Sequence, residues 1–284
     1  MVIQRVGVVG CGLMGSGIAE VCARAGYQVT VREVNPELLE HGLGRIEGSL
    51  RRAVERGKLD EVAARRAREA VRGTVALRDL ASSDLIIEAV VEQMPEKQAV
   101  FRELDGLCPP HAIFASNTSS LSITEMASAT RRPDRVVGLH FFNPAPVMPL
   151  VELVRGLVTA DDTVDTAKAF AASVGKTVVL AKDYPGFIVN LLLIPYLLDA
   201  VRALELGVAA KEDIDRAITL GLSHPMGPLT LLDFVGLDTT YLIAEAMYAE
   251  FKDARYAAPP LLKKMVLAGY LGRKSGRGFY DYRS

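Results

Sequence analysis

Arg5-Val-Gly-Val-Val9 runs directly into Gly10-Cys-Gly-Leu-Met-Gly15, which sets a Gly-x-Gly-x-x-Gly loop between an apolar strand and a helix. Each glycine has its own task there. Gly10 permits the tight turn off the strand, Gly12 lets the backbone approach a pyrophosphate, and Gly15 lets the helix pack close to the sheet. The helix, Leu13 to Ala25, would aim its positive N-terminal end at phosphates, and Gly26 stops it. A second strand, Tyr27-Gln-Val-Thr-Val-Arg32, ends in Glu33, near the spacing at which an acid accepts ribose hydroxyls. The loop alone is a weak signal. The complete strand, loop, helix, strand and acid unit points to a bound dinucleotide, with a flavin site or a decayed site as the alternatives. Glu33 would repel a 2′-phosphate, which favours NAD. NADP stays possible if Arg32 turns to the same pocket, although neighbouring strand residues face opposite sides.

The chain's 284 residues exceed one such domain, so a second is expected. Lys and Arg total 33 against 34 Asp and Glu, so no global field recruits nucleic acid or a membrane surface. Cys11, Cys22 and Cys108 are odd in number and form no Cys-x-x-Cys pair, which argues for reduced thiols and no metal site. Met1-Val-Ile-Gln-Arg5 leads straight into the first strand with no targeting segment, so a cytoplasmic enzyme is expected. The apolar stretch Gly186 to Leu198 is interrupted by Asn190 and Pro195 and reads as a buried helix, not a membrane span.

After Glu33, two charged helical stretches, 36–57 and 59–72, suit a helical hairpin projecting from the sheet. Nearly continuous apolar strands then alternate with helices: 84–91, 112–116, 135–140, 150–154 and 177–181, with helices over 96–107 and 160–174. This pattern predicts an α/β Rossmann-type domain with a mainly parallel sheet covered on both faces. Beyond Lys182-Asp-Tyr-Pro-Gly186 only helical spacing survives. The expected division is therefore a dinucleotide-binding domain over 1–185, including the hairpin, and an all-α domain over 186–284.

Polar residues gather where such a fold places its site, beyond the carboxyl ends of strands. Ser116-Asn-Thr-Ser-Ser120 follows one strand, His140 closes the next, and Glu152 lies on the one after. Oxidation of an alcohol needs a base for the hydroxyl proton while the nicotinamide takes a hydride. Histidine suits that task, and a carboxylate on its other nitrogen would fix the tautomer. Each residue also has a plain structural reading. A lone histidine closing a strand often just donates to a carbonyl, Glu152 could be an edge-facing charge, and Ser116–Ser120 could be a helix cap. Their joint placement favours chemistry.

Several strings together resemble the L-3-hydroxyacyl-CoA dehydrogenase family: Gly10-Cys-Gly-Leu-Met-Gly15, Ala115-Ser-Asn-Thr-Ser-Ser-Leu121, Gly138-Leu-His-Phe-Phe-Asn-Pro144, Pro185-Gly-Phe-Ile-Val-Asn190, Pro225-Met-Gly-Pro228 and Gly272-Arg-Lys-Ser-Gly-Arg-Gly-Phe-Tyr280. The resemblance spans essentially the whole chain. It implies that His140 is the catalytic base paired with Glu152, and that Ser119 and Asn190 hold and orient the reacting oxygen. Gly10, Gly12, Leu13, Met14, Gly15, Glu33, Glu92, Lys97, Asn117, Ser119, Asn143 and Lys274 fall on cofactor-contacting positions. Ser49 and Arg56 fall where the family holds CoA. Without the resemblance, Lys97 and Lys274 would read as solvated surface charges. Arg52 and Arg56 lie one turn apart on one helix face, which would suit CoA phosphates but equally describes ordinary solvated arginines.

Two departures stand out. Cys11 occupies an interior loop position where glycine is common, and Leu191 follows Asn190 where many relatives carry Arg. The resemblance implies reversible oxidation of a short-chain L-3-hydroxyacyl-CoA by a stand-alone enzyme, with a homodimer interface in the C-terminal helices, including the apolar run Leu229 to Val235. One rival is a dehydrogenase of free hydroxyacids or sugars, which would commonly use a lysine base. The other is a silent NAD-binding protein, against which Ser119, His140, Glu152 and Asn190 stand together.

Overall fold

The computed structural model describes residues 2–283. The chain divides into two compact units between Tyr184 and Pro185.

The first unit is built on an eight-stranded sheet: β1 (Arg5–Val9), β2 (Gln28–Arg32), β3 (Val71–Thr74), β4 (Leu85–Glu88), β5 (Ile113–Ser116), β6 (Val136–Phe141), β7 (Leu150–Arg155) and β8 (Thr177–Lys182). Their spatial order is β3-β2-β1-β4-β5-β6-β7-β8. The strands from β3 across to β6 are parallel, β7 runs antiparallel to β6, and β8 is parallel to β7. The reversal has a simple cause. A parallel return needs a crossover of about a dozen residues or more, and the proline-rich connection 142–149 contains no helix.

Strands β4, β5 and β6 are buried at every position, which explains their nearly continuous apolar runs. Coverage fails at β8, where Leu180 is exposed, so the sheet is not covered on both faces at that edge.

Helices α1 (Leu13–Arg24), α2 (Pro36–Glu55), α3 (Glu61–Glu69), α4 (Met94–Leu107), α5 (Ile123–Ala127) and α6 (Asp161–Ser173) complete the unit. The sequence supplies their starts. Asn35 Oδ1 accepts from the Leu38 amide before Pro36, and Asp60 Oδ1 accepts from the Ala63 amide.

The hairpin departs from expectation in two ways. Its second helix ends at Glu69, and residues 71–74 form β3 beside β2. Nor does the hairpin stand away from the fold, because α2 and α3 both pack on α1 and bury Ile46, Leu50 and Ala67 in the main core.

The second unit holds α7 (Val189–Glu205), α8 (Lys211–Gly221), α9 (Pro228–Val235), α10 (Leu237–Phe251) and α11 (Pro260–Leu267). Its core gathers Leu197, Leu198, Leu229, Leu232, Ala244, Met247 and Leu262. Leu229 and Leu232 thus serve this core and are not surface residues; of the apolar run 229–235, only Phe234 is exposed. Leu191, partly buried, packs on the same core. Two buried aspartates tie the unit together. Asp215 accepts from the Leu229 and Thr230 amides at the start of α9. Asp233 accepts from the Phe279 and Tyr280 amides and the Tyr282 hydroxyl. Among the described residues, no helix is long and apolar enough to cross a membrane.

Candidate active site

The strand order reverses between β1 and β4, the crevice where open α/β sheets bind ligands. The glycine loop leaves β1 at this point. Gly10 has φ of 94°, in the region that favours glycine, and a side chain there would also meet the Ala89 carbonyl. A Cβ on Gly15 would overlap the carbonyl of Gly10. Gly12 differs: a Cβ there would meet nothing within 4 Å. Glycine at 12 is therefore not required by the protein's own packing, and the open space over it fits the approach of a pyrophosphate. Among the described residues, α1 has no side-chain cap and no acid in its first turn, so no acid of the helix itself occupies its N-terminal field.

Glu33 reaches back to this loop. Its Oε2 accepts from the Cys11 amide at 2.8 Å and its Oε1 from the Val34 amide at 2.7 Å. The acid therefore stands beside the loop in a fixed orientation. Arg32 points elsewhere, with its Nε 3.4 Å from the carbonyl of Val75. The Cys11 thiol is buried under the loop against α2, and burial, followed by the charge of Glu33, pushes it up to about 11.

His140 and Glu152 face each other across the antiparallel β6–β7 pair. Directly opposed residues project to the same side of a sheet, and here His140 Nδ1 lies 2.7 Å from Glu152 Oε2. Both side chains are buried, and the ring of Phe142 packs 4.5 Å from the imidazole, centre to centre. The reversal of strand direction after β6 makes this pairing possible.

The turn after β5 carries Ser119, and Glu92 organises it. Glu92 Oε1 accepts from the Thr118 hydroxyl at 2.5 Å, the Ser119 amide at 2.9 Å and the Ser119 hydroxyl at 3.3 Å, while Oε2 lies 3.1 Å from Lys97 Nζ. Burial pushes the Glu92 carboxyl upward, but Lys97 and these hydrogen bonds outweigh it and hold the group below the ordinary carboxylate value. Lys97 corrects the surface reading, since it is only 1% exposed and also pairs with Glu88 at 2.8 Å.

Asn117 Oδ1 accepts from the Phe141 amide, which ties the Ser119 turn to the strand of His140. Asn143 is exposed at the start of the 142–149 connection. Ser49 hydrogen-bonds the buried Glu20 of α1, whose carboxyl burial raises against the opposing pull of Ser49 and Arg24. Arg56 is exposed at the end of α2. In the second unit Asn190 is buried near the start of α7, and Lys274 pairs with Asp238 at 2.6 Å.

Sequence reading missed two groups. Glu88 ends the apolar run of β4, a buried acid signalled by the same context that singled out Glu152. Lys176 donates to the carbonyls of Ala145 at 2.6 Å and Met148 at 2.9 Å, holding the connection between His140 and Glu152.

Residues 5–184 match the profile described as "3-hydroxyacyl-CoA dehydrogenase, NAD binding domain", and residues 186–282 match "3-hydroxyacyl-CoA dehydrogenase, C-terminal domain". The chain belongs to the 3-hydroxyacyl-CoA dehydrogenase family. As a family member it is an oxidoreductase with an NAD-type cofactor domain. It is 56% identical to a 3-hydroxybutyryl-CoA dehydrogenase of Mycobacterium tuberculosis, covering 99% of both chains. Among solved structures it superposes on M. tuberculosis FadB2 with a TM-score of 0.97 at 55% identity, over 99% of this chain and all of that one. On the (S)-3-hydroxybutyryl-CoA dehydrogenase PaaH1 of Ralstonia eutropha the TM-score is 0.94 at 42% identity, covering both chains fully. Family membership thus accords with the motifs that first carried the resemblance.

Proposed function

We propose that this protein catalyses the reversible NAD-dependent oxidation of a short-chain L-3-hydroxyacyl-CoA, such as 3-hydroxybutyryl-CoA, to the 3-ketoacyl-CoA. The observation that carries the reading is the buried His140–Glu152 pair, 2.7 Å apart on opposed strands. Glu152 takes the Nδ1 side of the ring, so Nε2 is the nitrogen that exchanges a proton with substrate. The carboxylate fixes that tautomer and stabilises the imidazolium formed when the hydroxyl is deprotonated. NAD, when bound, supplies the hydride acceptor.

Gly10, Gly12, Leu13, Met14 and Gly15 would hold its pyrophosphate, and Glu33 would receive the adenosine ribose. The amide bonds that orient Glu33, together with the outward turn of Arg32, support NAD over NADP. Ser119 would hold the reacting oxygen, and the family resemblance assigns Asn190 the task of orienting it. Glu92, Lys97, Asn117, Asn143 and Lys274 keep their family assignment to the cofactor. Ser49 and Arg56 keep theirs to CoA, with Ser49 held by Glu20. The protein would act as a homodimer joined through its helical unit.

The test follows reduced-cofactor absorbance on addition of acetoacetyl-CoA, with NADH against NADPH and wild type against His140→Gln. Fast NADH oxidation that falls about 100- to 10,000-fold in the variant, the usual span for a general base, is the expected result. A folded, NADH-binding wild type without turnover would overturn the short-chain substrate. Equal rates with NADPH would overturn the part given to Glu33.

A further inference from the structure

Glu88 closes β4 with no exposed surface, and the cofactor and substrate assignments leave it without a task. Its Oε1 accepts from the Val90 amide at 2.7 Å and from Lys97 Nζ at 2.8 Å, while its Oε2 accepts from the Ser116 hydroxyl at 2.6 Å. A carboxylate withdrawn this far from water is tolerated only when paired and hydrogen-bonded, and both conditions hold.

The same holds for Lys97, which brings its charge from α4 into the space between Glu88 and Glu92. The two ends of the turn 116–119 are thus fastened to two different carboxylates, Ser116 to Glu88 and Ser119 to Glu92, and one ammonium group bridges the pair. Ser116 Oγ also accepts from the Thr118 amide at 3.2 Å, which carries the tie inside the turn. The backbone agrees, since the Asn117 amide donates to the Glu88 carbonyl at 2.8 Å.

We propose that Glu88 is a positioning residue for the dehydrogenase reaction: through Ser116 on one side and through Lys97 and Glu92 on the other, it sets the place of the Ser119 amide and hydroxyl. The proposal rests on the reading of Ser119 as the ligand of the reacting oxygen. Loss of the Glu88 charge leaves Lys97 paired with Glu92 alone. Lys97 then shifts toward the outer carboxylate, and Glu92 moves with the serine it holds. A Glu88 that served only to neutralise a buried lysine would affect stability in general and have no particular link to Ser119.

The variants Glu88→Gln, Ser119→Ala and their double separate these cases. Amide hydrogen exchange of the 116–121 segment is followed by mass spectrometry in the full-length protein, and steady-state rates are measured with acetoacetyl-CoA and NADH. Expected in Glu88→Gln are exchange at least tenfold faster at the Ser119 amide, kcat at least tenfold lower, and KM for the thioester changed less than threefold. The double variant should be less than twofold slower than Ser119→Ala alone, because both changes act on one hydroxyl.

Wild-type exchange at Ser119 in folded Glu88→Gln, or rate losses that simply multiply, would overturn the proposal. If Glu88→Gln does not fold, Ser116→Ala severs the inner tie without disturbing the ion pairs, and the same readouts and outcomes apply. A wild type without turnover would refute the substrate reading, while the exchange measurement would still decide whether Glu88 holds the turn.

Discussion

Gly12 and Gly15 share one motif but answer to different constraints, and substitution separates them. A methyl group at Gly15 has to displace the backbone carbonyl of Gly10, whereas at Gly12 it enters open space. Gly15→Ala should therefore cost about 1–3 kcal/mol of stability through overpacking. Gly12→Ala should stay within about 0.5 kcal/mol of wild type, as surface changes do, yet weaken NAD at least roughly tenfold, or about 1.4 kcal/mol. Thermal unfolding and calorimetric titration with NAD check the pair of outcomes, and a Gly12→Ala protein that binds NAD normally would remove the pyrophosphate from the space above residue 12. Motif logic reaches the loop glycines in this way because each obeys a local steric rule. Lys97 escaped the same logic, because a lysine one turn into an amphipathic helix looks solvated until the acids that bury it, on β4 and in the segment after it, are in place. Glu88 was legible in principle, since an acid ending Leu85-Ile-Ile-Glu88 raises the same question of burial that Glu152 raises within β7.

At the scale of elements, the site depends on how the chain gets from β6 to β7. The 142–149 connection carries Asn143, and its two ends fix the register that opposes His140 to Glu152. Lys176, just ahead of β8, grips this connection through two carbonyls, and Ala145 and Pro146 lie against Gly17 of α1. Burial, and then the charge of Arg24, pull the Lys176 ammonium below its ordinary value, a cost its two carbonyl bonds offset. Lys176→Met keeps the aliphatic stem and removes both bonds. It should weaken NADH binding several-fold while His140→Gln does not, measured by fluorescence titration of each variant. Unchanged affinity in Lys176→Met would show that the connection keeps its place without these two bonds. The long apolar strands were legible because burial on both faces writes itself as a nearly continuous apolar run. β3 was not, since Val71-Arg-Gly-Thr74 sits at the sheet edge with Arg72 exposed, and no alternation survives in four residues. The start of the short α5 is fixed partly by a local cap, Ser122 Oγ accepting from the Glu125 amide, and partly by Asp183, distant in sequence, which accepts from the Ile123 and Thr124 amides.

For the whole molecule, the balance of charge and apolar surface bears on assembly. A net charge of −1 gives copies of the chain little reason to repel one another. The helical unit keeps several large aliphatic side chains in water: Leu206 is 80% exposed at the end of α7, Leu267 is 77% exposed at the end of α11, and Leu220 and Leu242 are exposed on α8 and α10. Each such side chain gains about 1.5–3 kcal/mol when fully buried, and a two-fold interface uses every contributing residue twice. The apolar run 229–235 is largely consumed by the unit's own core, so the contact should instead draw on these outward leucines. Sedimentation velocity at micromolar concentration should show one species at twice the chain mass of 30.7 kDa. Leu220→Lys, Leu242→Lys and Leu267→Lys, made singly, should leave the fold intact, and at least one should shift the population toward monomer. A wild-type protein sedimenting at the mass of one chain would overturn the dimer. A dimer that withstands all three lysines would move the interface away from these side chains.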